Sequence, residues 1–292
     1  MPRYQNNNLL GIALMLLATF LFAVMDATAK WLVTADVSAF QVIAVRSWMI
    51  CLFIPLLLLA RGEIQQMKTQ QPWHHLARGM IGCLAPAAFF TSLKTLPLAD
   101  ASVIFFSAAF ILTAASAIFL KERVGIHRWS AVVVGFIGVV IAMNPTGGGP
   151  LLAYLMVLFA AMIYSLLFIW GKQLTKQDSV LLLVFSTNLG MGVVASAVLP
   201  WVWVPITFQM FLELLLMASL AMAAHYVFAS AFARAEVSVL APFEYSMLIW
   251  AVAIGYFIWA DIPTLQMWIG AALIIAAGIY VAHRESLRRP KV

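Results

Sequence analysis

With 64% hydrophobic and only 10% charged residues, this 292-residue chain has too little polar surface to cover a soluble domain. Its net charge of +6 would suit a polyanionic partner, but the basic residues sit in short loops between long apolar blocks, which excludes a nucleic-acid footprint. The blocks run for about 20 residues, enough to cross a hydrocarbon core of about 30 Å, where only helices or closed barrels satisfy their backbones. Barrel strands would be about 10 residues long and would alternate, so helices are expected.

The N-terminus is polar from Met1 to Asn8, and an apolar run follows. Ala27-Thr28-Ala29 imitates a leader cleavage site, but Asp26 precedes it and the run from Leu9 is too long for a leader, so a retained first helix is expected. Helices are predicted at 9–34, 38–60, 73–95, 99–120 and 126–143, then at 151–170, 180–201, 211–233, 237–259 and 267–282. Arg61-Gly62-Glu63, Pro97, Lys121-Glu122-Arg123, Pro200, Pro205, Asp261 and Pro263 mark breaks between them. The most loop-like stretch, Asn144 to Pro150, separates two sets of five. The expected organisation is a first repeat at 1–144, a linker at 145–150, a second repeat at 151–285 and a basic tail at 286–292. Cys51 and Cys83 fall inside apolar blocks and leave the redox compartment open.

Loop lysines and arginines orient the chain. With the N-terminus cytoplasmic, Arg3, Arg61, Lys68, Lys121, Arg123, Arg128, Lys172, Lys176, Arg234, Arg284, Arg288, Arg289 and Lys291 all fall inside, and Lys94 alone falls outside. Both termini are therefore expected in the cytoplasm of a bacterial inner-membrane protein. The halves repeat: residues 85–90 align with 221–226, and 99–103 with 235–239. Lys30 matches Lys172, Arg46 matches Asn188, and Glu122 and Trp129 match Asp261 and Trp268. An odd number of helices per repeat inverts the second half. The expected fold is an all-α membrane protein of ten transmembrane helices in two inverted five-helix repeats, an arrangement suited to alternating access.

Ionisable groups at membrane depth cost about 2.5–3.5 kcal/mol on insertion scales, so each needs a reason. Asp26 and Arg46 both lie roughly 12 Å below the outer surface on one helical hairpin, by helical rise. They are expected to form a gating or structural ion pair, with Lys30 joining Asp26 by i,i+4 spacing or snorkelling outward. Direct substrate contact is the competing role. Asn188, His225 and Glu244 form a second polar layer, with Tyr226 and Tyr245 adjacent and Phe89 and Phe90 at the matching repeat positions. Pro242 can free a carbonyl where its helix lines a cavity. These seven residues make a candidate aromatic-walled substrate cavity. Arg78 is a further intramembrane charge, and a hydrogen bond from Glu244 to His225 or Arg78 is the bland alternative for the carboxylate. His74-His75 lacks neighbouring acids in sequence, so neither a metal nor a cofactor is expected. Trp170, Trp201, Trp203, Trp259 and Trp268 suit interface anchoring, and Gly135, Gly138, Gly270 and Gly278 suit close helix packing.

The chain resembles the EamA-type branch of the drug/metabolite transporter superfamily. The resemblance rests on the five-plus-five layout, Asp26 with Lys30, Arg46, Arg78-Gly79, Leu120-Lys121-Glu122-Arg123 and Ala241-Pro242-Phe243-Glu244-Tyr245. The set looks most like the sub-branch of S-adenosylmethionine and riboflavin uptake carriers. It implies a central cavity lined by helices 3, 4, 8 and 9. The expected function is secondary transport of a small organic metabolite that is cationic, amine-bearing or aromatic. The expected partners are that substrate and the lipid bilayer, with homodimerisation left open. A membrane-embedded enzyme lacks a G-x-S-x-G elbow, an H-E-x-x-H helix or a Walker motif here, so no catalytic residue is expected. A channel or scramblase-like protein is the other alternative.

Overall fold

The computed structural model describes residues 7–119, 125–144, 150–174 and 178–286. Lys121-Glu122-Arg123, most of the linker, Lys176 and the end of the basic tail lie outside the described residues. The described residues form helices and connecting turns, with no strand among them. The helices are α1 (Asn8–Thr34), α2 (Ala39–Ala60), α3 (Pro72–Gly82), α4 (Leu84–Ser92), α5 (Leu98–Phe105), α6 (Ala108–Phe119) and α7 (Ile126–Met143) in the first half. In the second half they are α8 (Leu151–Leu174), α9 (Val180–Val202), α10 (Phe208–Phe232), α11 (Val237–Glu244), α12 (Ser246–Trp259) and α13 (Leu265–Ser286). Polar side chains cap several starts: Asn7, Ser38, Ser179 and Thr207 each accept from a backbone N–H of the first turn.

Among the described residues, nine helical spans are long and apolar enough to cross a membrane, whereas the sequence suggests ten. The span missing from that set is α3–α4. It is interrupted at Cys83 and its first piece carries His74, His75 and Arg78, so its polarity rather than its length sets it apart from the others.

Three predicted spans are thus helix pairs. α5 gives way to α6 at Phe106-Ser107, and α11 gives way to α12 at Tyr245. Pro242 sits just before the second break, where the Ser246 hydroxyl donates to the Phe243 carbonyl at 2.6 Å. A side-chain donor satisfies a carbonyl that the interrupted helix no longer pairs, which hydrocarbon surroundings require.

The halves are interleaved. α1 packs along α10 and against α11 and α12, while α8 packs along α3, α4, α5 and α6. α2 lies along α9, and α7 lies along α13. In lipid, helix association depends on close packing, so small residues mark the tightest crossings. A methyl built on Gly79 of α3 would meet the Ser186 and Thr187 carbonyl oxygens of α9 at 2.6 and 2.8 Å. Gly138 and Gly270 make the same kind of backbone approach between α7 and α13. At Gly278 the space belongs to the Tyr245 hydroxyl, so this glycine holds the ring at the α11–α12 break.

Gly79→Ala should lower the unfolding midpoint of the purified protein by the equivalent of about 1–3 kcal/mol, because the atoms it meets are backbone. Gly255→Ala, whose methyl would find its nearest neighbour at 3.7 Å, should leave the midpoint unchanged or raise it. Equal effects of the two substitutions would contradict the assigned α3–α9 crossing.

Candidate functional site

The interior charges divide into those that the protein answers and those that it leaves open. At one end of the bundle, the Lys30 ammonium of α1 pairs with the Asp261 carboxylate at 2.7 Å, in the turn after α12. It also lies 4.6 Å from the centre of the Trp259 ring. Asp100, at the start of α5, is buried within the field of both groups, and its Oδ1 has no hydrogen-bond partner. Lys30 therefore joins the two halves through Asp261 rather than joining Asp26. Nearby, Gln41 forms a two-way bridge to the backbone of Val204, donating to its carbonyl at 2.7 Å and accepting from its N–H at 2.9 Å.

At the other end, His75 of α3 contacts the Asp178 carboxylate through Nε2 at 2.7 Å and the Ser186 hydroxyl through Nδ1 at 3.0 Å. The Thr69 hydroxyl also donates to Asp178, at 2.8 Å. The expectation that no acid neighbours His75 is corrected: the acid comes from the other half, 103 residues away. No cluster of three metal-type ligands occurs among the described residues. Burial pushes the Asp178 carboxyl up, and the His75 and Thr69 hydrogen bonds outweigh it, so the group sits below the ordinary carboxylate range. Arg78 is answered by the Leu167 carbonyl at 3.0 Å and the Thr187 hydroxyl at 2.6 Å, and it packs over Gly171.

Asp26, Arg46, His225 and Glu244 stand apart from these clusters. Among the described residues no direct ion pair joins Asp26 to Arg46, although each lies in the other's field. Asp26 is 6% exposed and accepts no side-chain hydrogen bond. The Arg46 Nε is buried without an acceptor, and its guanidinium lies 5.7 Å from the centre of the Phe90 ring. His225 uses Nδ1 on the Ala221 carbonyl of its own helix at 2.7 Å, and its ring meets Phe22 edge-on at 5.0 Å. Glu244, at the end of α11, has no hydrogen bond or ion pair among the described residues, so neither His225 nor Arg78 takes up its carboxylate.

Aromatic rings run between two of these groups, from Arg46 toward Glu244. From Arg46 a row runs through Phe90, Phe89, Phe105 and Tyr164, with successive ring centres 6.1, 5.2 and 5.4 Å apart. Tyr164 lies in the field of Glu244 and is 49% exposed. Phe106 and Tyr245, at the two helix breaks, face each other at 5.0 Å. Asn188 is buried and donates to the Val184 carbonyl of its own helix. Tyr226 is 73% exposed and joins neither the ring row nor a hydrogen bond among the described residues. Tyr164, Phe105, Phe106, Asp100 and Asp261 are additions that sequence reading did not select.

Two outcomes follow. Lys30→Met and Asp261→Leu, alone and combined, should show a stability coupling of about 0.5–3 kcal/mol, and additive effects would remove the pairing. Asp178 contributes stability that is present above its unfolded pKa of about 3.9 and is lost as pH falls through its lower folded value. Asp178→Asn should therefore lower the midpoint at neutral pH and flatten the decline below about pH 4; an unchanged acid limb would contradict this role.

A model of the EamA-like transporter family matches residues 9–144 and again 151–282. The riboflavin transporter of Rhizobium johnstonii is 28% identical over 96% of this chain and 93% of its own length. The S-adenosylmethionine uptake transporter of Rickettsia felis is 26% identical over 95% of this chain and 94% of its own. A solved crystal structure shares the fold with a TM-score of 0.63, covering 97% of this chain and 98% of its own at 18% identity. Apolar spans, interleaved halves and a match over both halves agree: the chain is a multi-pass inner-membrane protein that belongs to the EamA-like transporter family.

Proposed function

We propose that the chain is a secondary carrier that moves a small organic metabolite, cationic, amine-bearing or aromatic, by alternating access. The observation that carries this reading is Glu244: an interior carboxylate at a helix break, beside Tyr164 and Tyr245, with no protein partner among the described residues. A carboxylate kept in a hydrocarbon-enclosed space without a counter-ion is poised for a cation from outside the protein. Aromatic walls add cation–π and stacking surface. Discontinuous helices at the junction of two repeats are where carriers place their sites, and here Phe106 and Tyr245 bring the two breaks into ring contact.

The fold reading goes further than the span count. The chain comprises two five-span repeats, 1–144 and 151–285, joined by the 145–150 linker, with α3–α4 as a third, broken span and the basic tail at 286–292. The second repeat is inverted relative to the first. Exchangeable packing supports this: α1 on α10 mirrors α8 on α3–α4, and α2–α9 and α7–α13 are their own counterparts. Loop lysines and arginines put both termini in the cytoplasm. The Lys30–Asp261 end then faces the periplasm and the His75–Asp178 end the cytoplasm. Each end has a pair joining the two halves, so each can close one side of the pathway.

In proteoliposomes, the protein should show saturable counterflow of S-adenosylmethionine or riboflavin, the substrates of its named relatives. Glu244→Gln should lower the rate at least about 10-fold for a cationic substrate, with the protein still folded, from the loss of roughly 1.4 kcal/mol or more of ion pairing. Wild-type rates in Glu244→Gln would remove the residue from the site, and flux that never saturates would favour a channel.

A further inference from the structure

We infer that His75 is a proton-binding switch at the cytoplasmic end of the pathway. A proton on its ring tightens the contact that ties α3 to Asp178, so an acidified cytoplasm holds that end closed. The inference rests on the carrier reading, which makes this end the cytoplasmic side, and adds its regulation.

The ring is 2% exposed and is engaged at both nitrogens. A carboxylate only accepts, so Nε2 donates its hydrogen to Asp178 at 2.7 Å, on the same oxygen that the Thr69 hydroxyl reaches at 2.8 Å. Nδ1 faces the Ser186 hydroxyl at 3.0 Å. With a neutral ring, Nδ1 accepts from that hydroxyl. With a second proton on the ring, Nδ1 donates instead, and the Ser186 hydrogen has another acceptor in reach, the Leu183 carbonyl of its own helix at 3.2 Å. The ring therefore takes up a proton by the turn of one hydroxyl, with no heavy atom displaced. The contact with Asp178 then changes from a hydrogen bond of a neutral ring to a hydrogen-bonded pair of opposite charges, which is stronger. Burial opposes charge on Asp178, but the His75 and Thr69 hydrogen bonds outweigh it and hold its carboxyl below the ordinary carboxylate range, so the acceptor is ionised.

α3 packs on α4, α8 and α9. Neither α4 nor α9 contains an ionisable side chain. α8 brings Lys172 in its last turn, and Glu63 and Lys68 lie in the connection from α2 to α3. On α3 itself, Arg78 is turned to the Leu167 carbonyl and the Thr187 hydroxyl, and the His74 ring meets Trp170 edge-on at 6.1 Å. Asp178 is thus the one charge in direct contact with the His75 ring among the described residues.

His75 belongs to the first half, and Asp178 and Ser186 to the second. The Ser179 hydroxyl adds a further tie between the halves, donating to the Gln66 carbonyl at 2.9 Å. Opening this end parts the imidazolium from its carboxylate, which favours release of the proton. Histidine is the side chain that ordinarily changes charge between about pH 5 and 8. The closed arrangement favours the protonated ring, so closure strengthens as pH falls through that range and weakens as pH rises. Below about pH 4, protonation of Asp178 removes the acceptor and the closure with it. The Lys30–Asp261 contact at the other end contains no histidine, so the sensitivity is one-sided.

The test is amide hydrogen exchange of the purified full-length protein between about pH 5.5 and 8.5, corrected for the intrinsic pH dependence of exchange. Protection of segments 69–82 and 178–190 should rise at least about 5-fold from pH 8 to pH 6, while the segments around Lys30 and Asp261 stay level. His75→Gln keeps a hydrogen-bonding side chain without the charge and should flatten the profile, as should Asp178→Asn. A level profile in the unaltered protein, or an unchanged slope in His75→Gln, would overturn the inference. The first of these needs no variant, so it stands even if a substitution prevents folding. In proteoliposomes, lowering the internal pH from 8 to 6 should slow counterflow of whichever of S-adenosylmethionine and riboflavin is carried, and should not do so in His75→Gln. Counterflow indifferent to internal pH would sink the switch and leave the carrier reading intact. The predicted exchange profile without any counterflow would keep the proton site and sink the carrier reading.

Discussion

A charge enclosed in hydrocarbon must be met by an opposite charge, by dipoles or by a guest, because water is not there to meet it. In this bundle that constraint separates structure from function. Lys30 is met by Asp261 and the Trp259 ring, Arg78 by a carbonyl and a hydroxyl, and His75 by Asp178 and Ser186. Each of these groups ties elements of one half to elements of the other. Asp26, Arg46, Glu244 and the Oδ1 of Asp100 have no such partner among the described residues, and a row of aromatic rings runs from Arg46 to Tyr164, which lies in the field of Glu244.

The same constraint accounts for where the helices break. An interrupted helix in lipid exposes carbonyl and N–H groups, so interruptions belong where other polar groups can reach them. Ser246 supplies one such group, donating to Phe243 and contacting the Thr19 hydroxyl of α1 at 2.7 Å. Glycine contacts complete the arrangement: Gly278 leaves room for Tyr245, and Gly79 brings α3 against α9 beneath Arg78. Packing, polar satisfaction and site geometry therefore converge on the same few residues.

Much of the span layout was legible in the sequence because span length and apolarity depend only on local composition. The broken α11–α12 span could be anticipated from Pro242, and the small-residue crossings from Gly138 and Gly270. The partners of the charges were not legible. Lys30 shares a helical face with Asp26, and that local rule pointed there, but its partner Asp261 is 231 residues away. Asp178 was hidden from His75 for the same reason. A span that is apolar all round carries little record of which face meets which neighbour, so Tyr164 and Phe105 could not be told from lipid-facing rings. Tyr226, chosen because it follows His225, points to the cost of reading adjacency as a shared face.

The central claim is that Glu244 and the aromatic rings beside it form the place where substrate binds. A structure of the protein determined with a substrate identified by counterflow bound tests it most directly. The account predicts a cationic group of that substrate on the Glu244 carboxylate and its apolar or aromatic part against Tyr164 and Tyr245. A bound molecule elsewhere in the bundle, with Glu244 untouched, would contradict it.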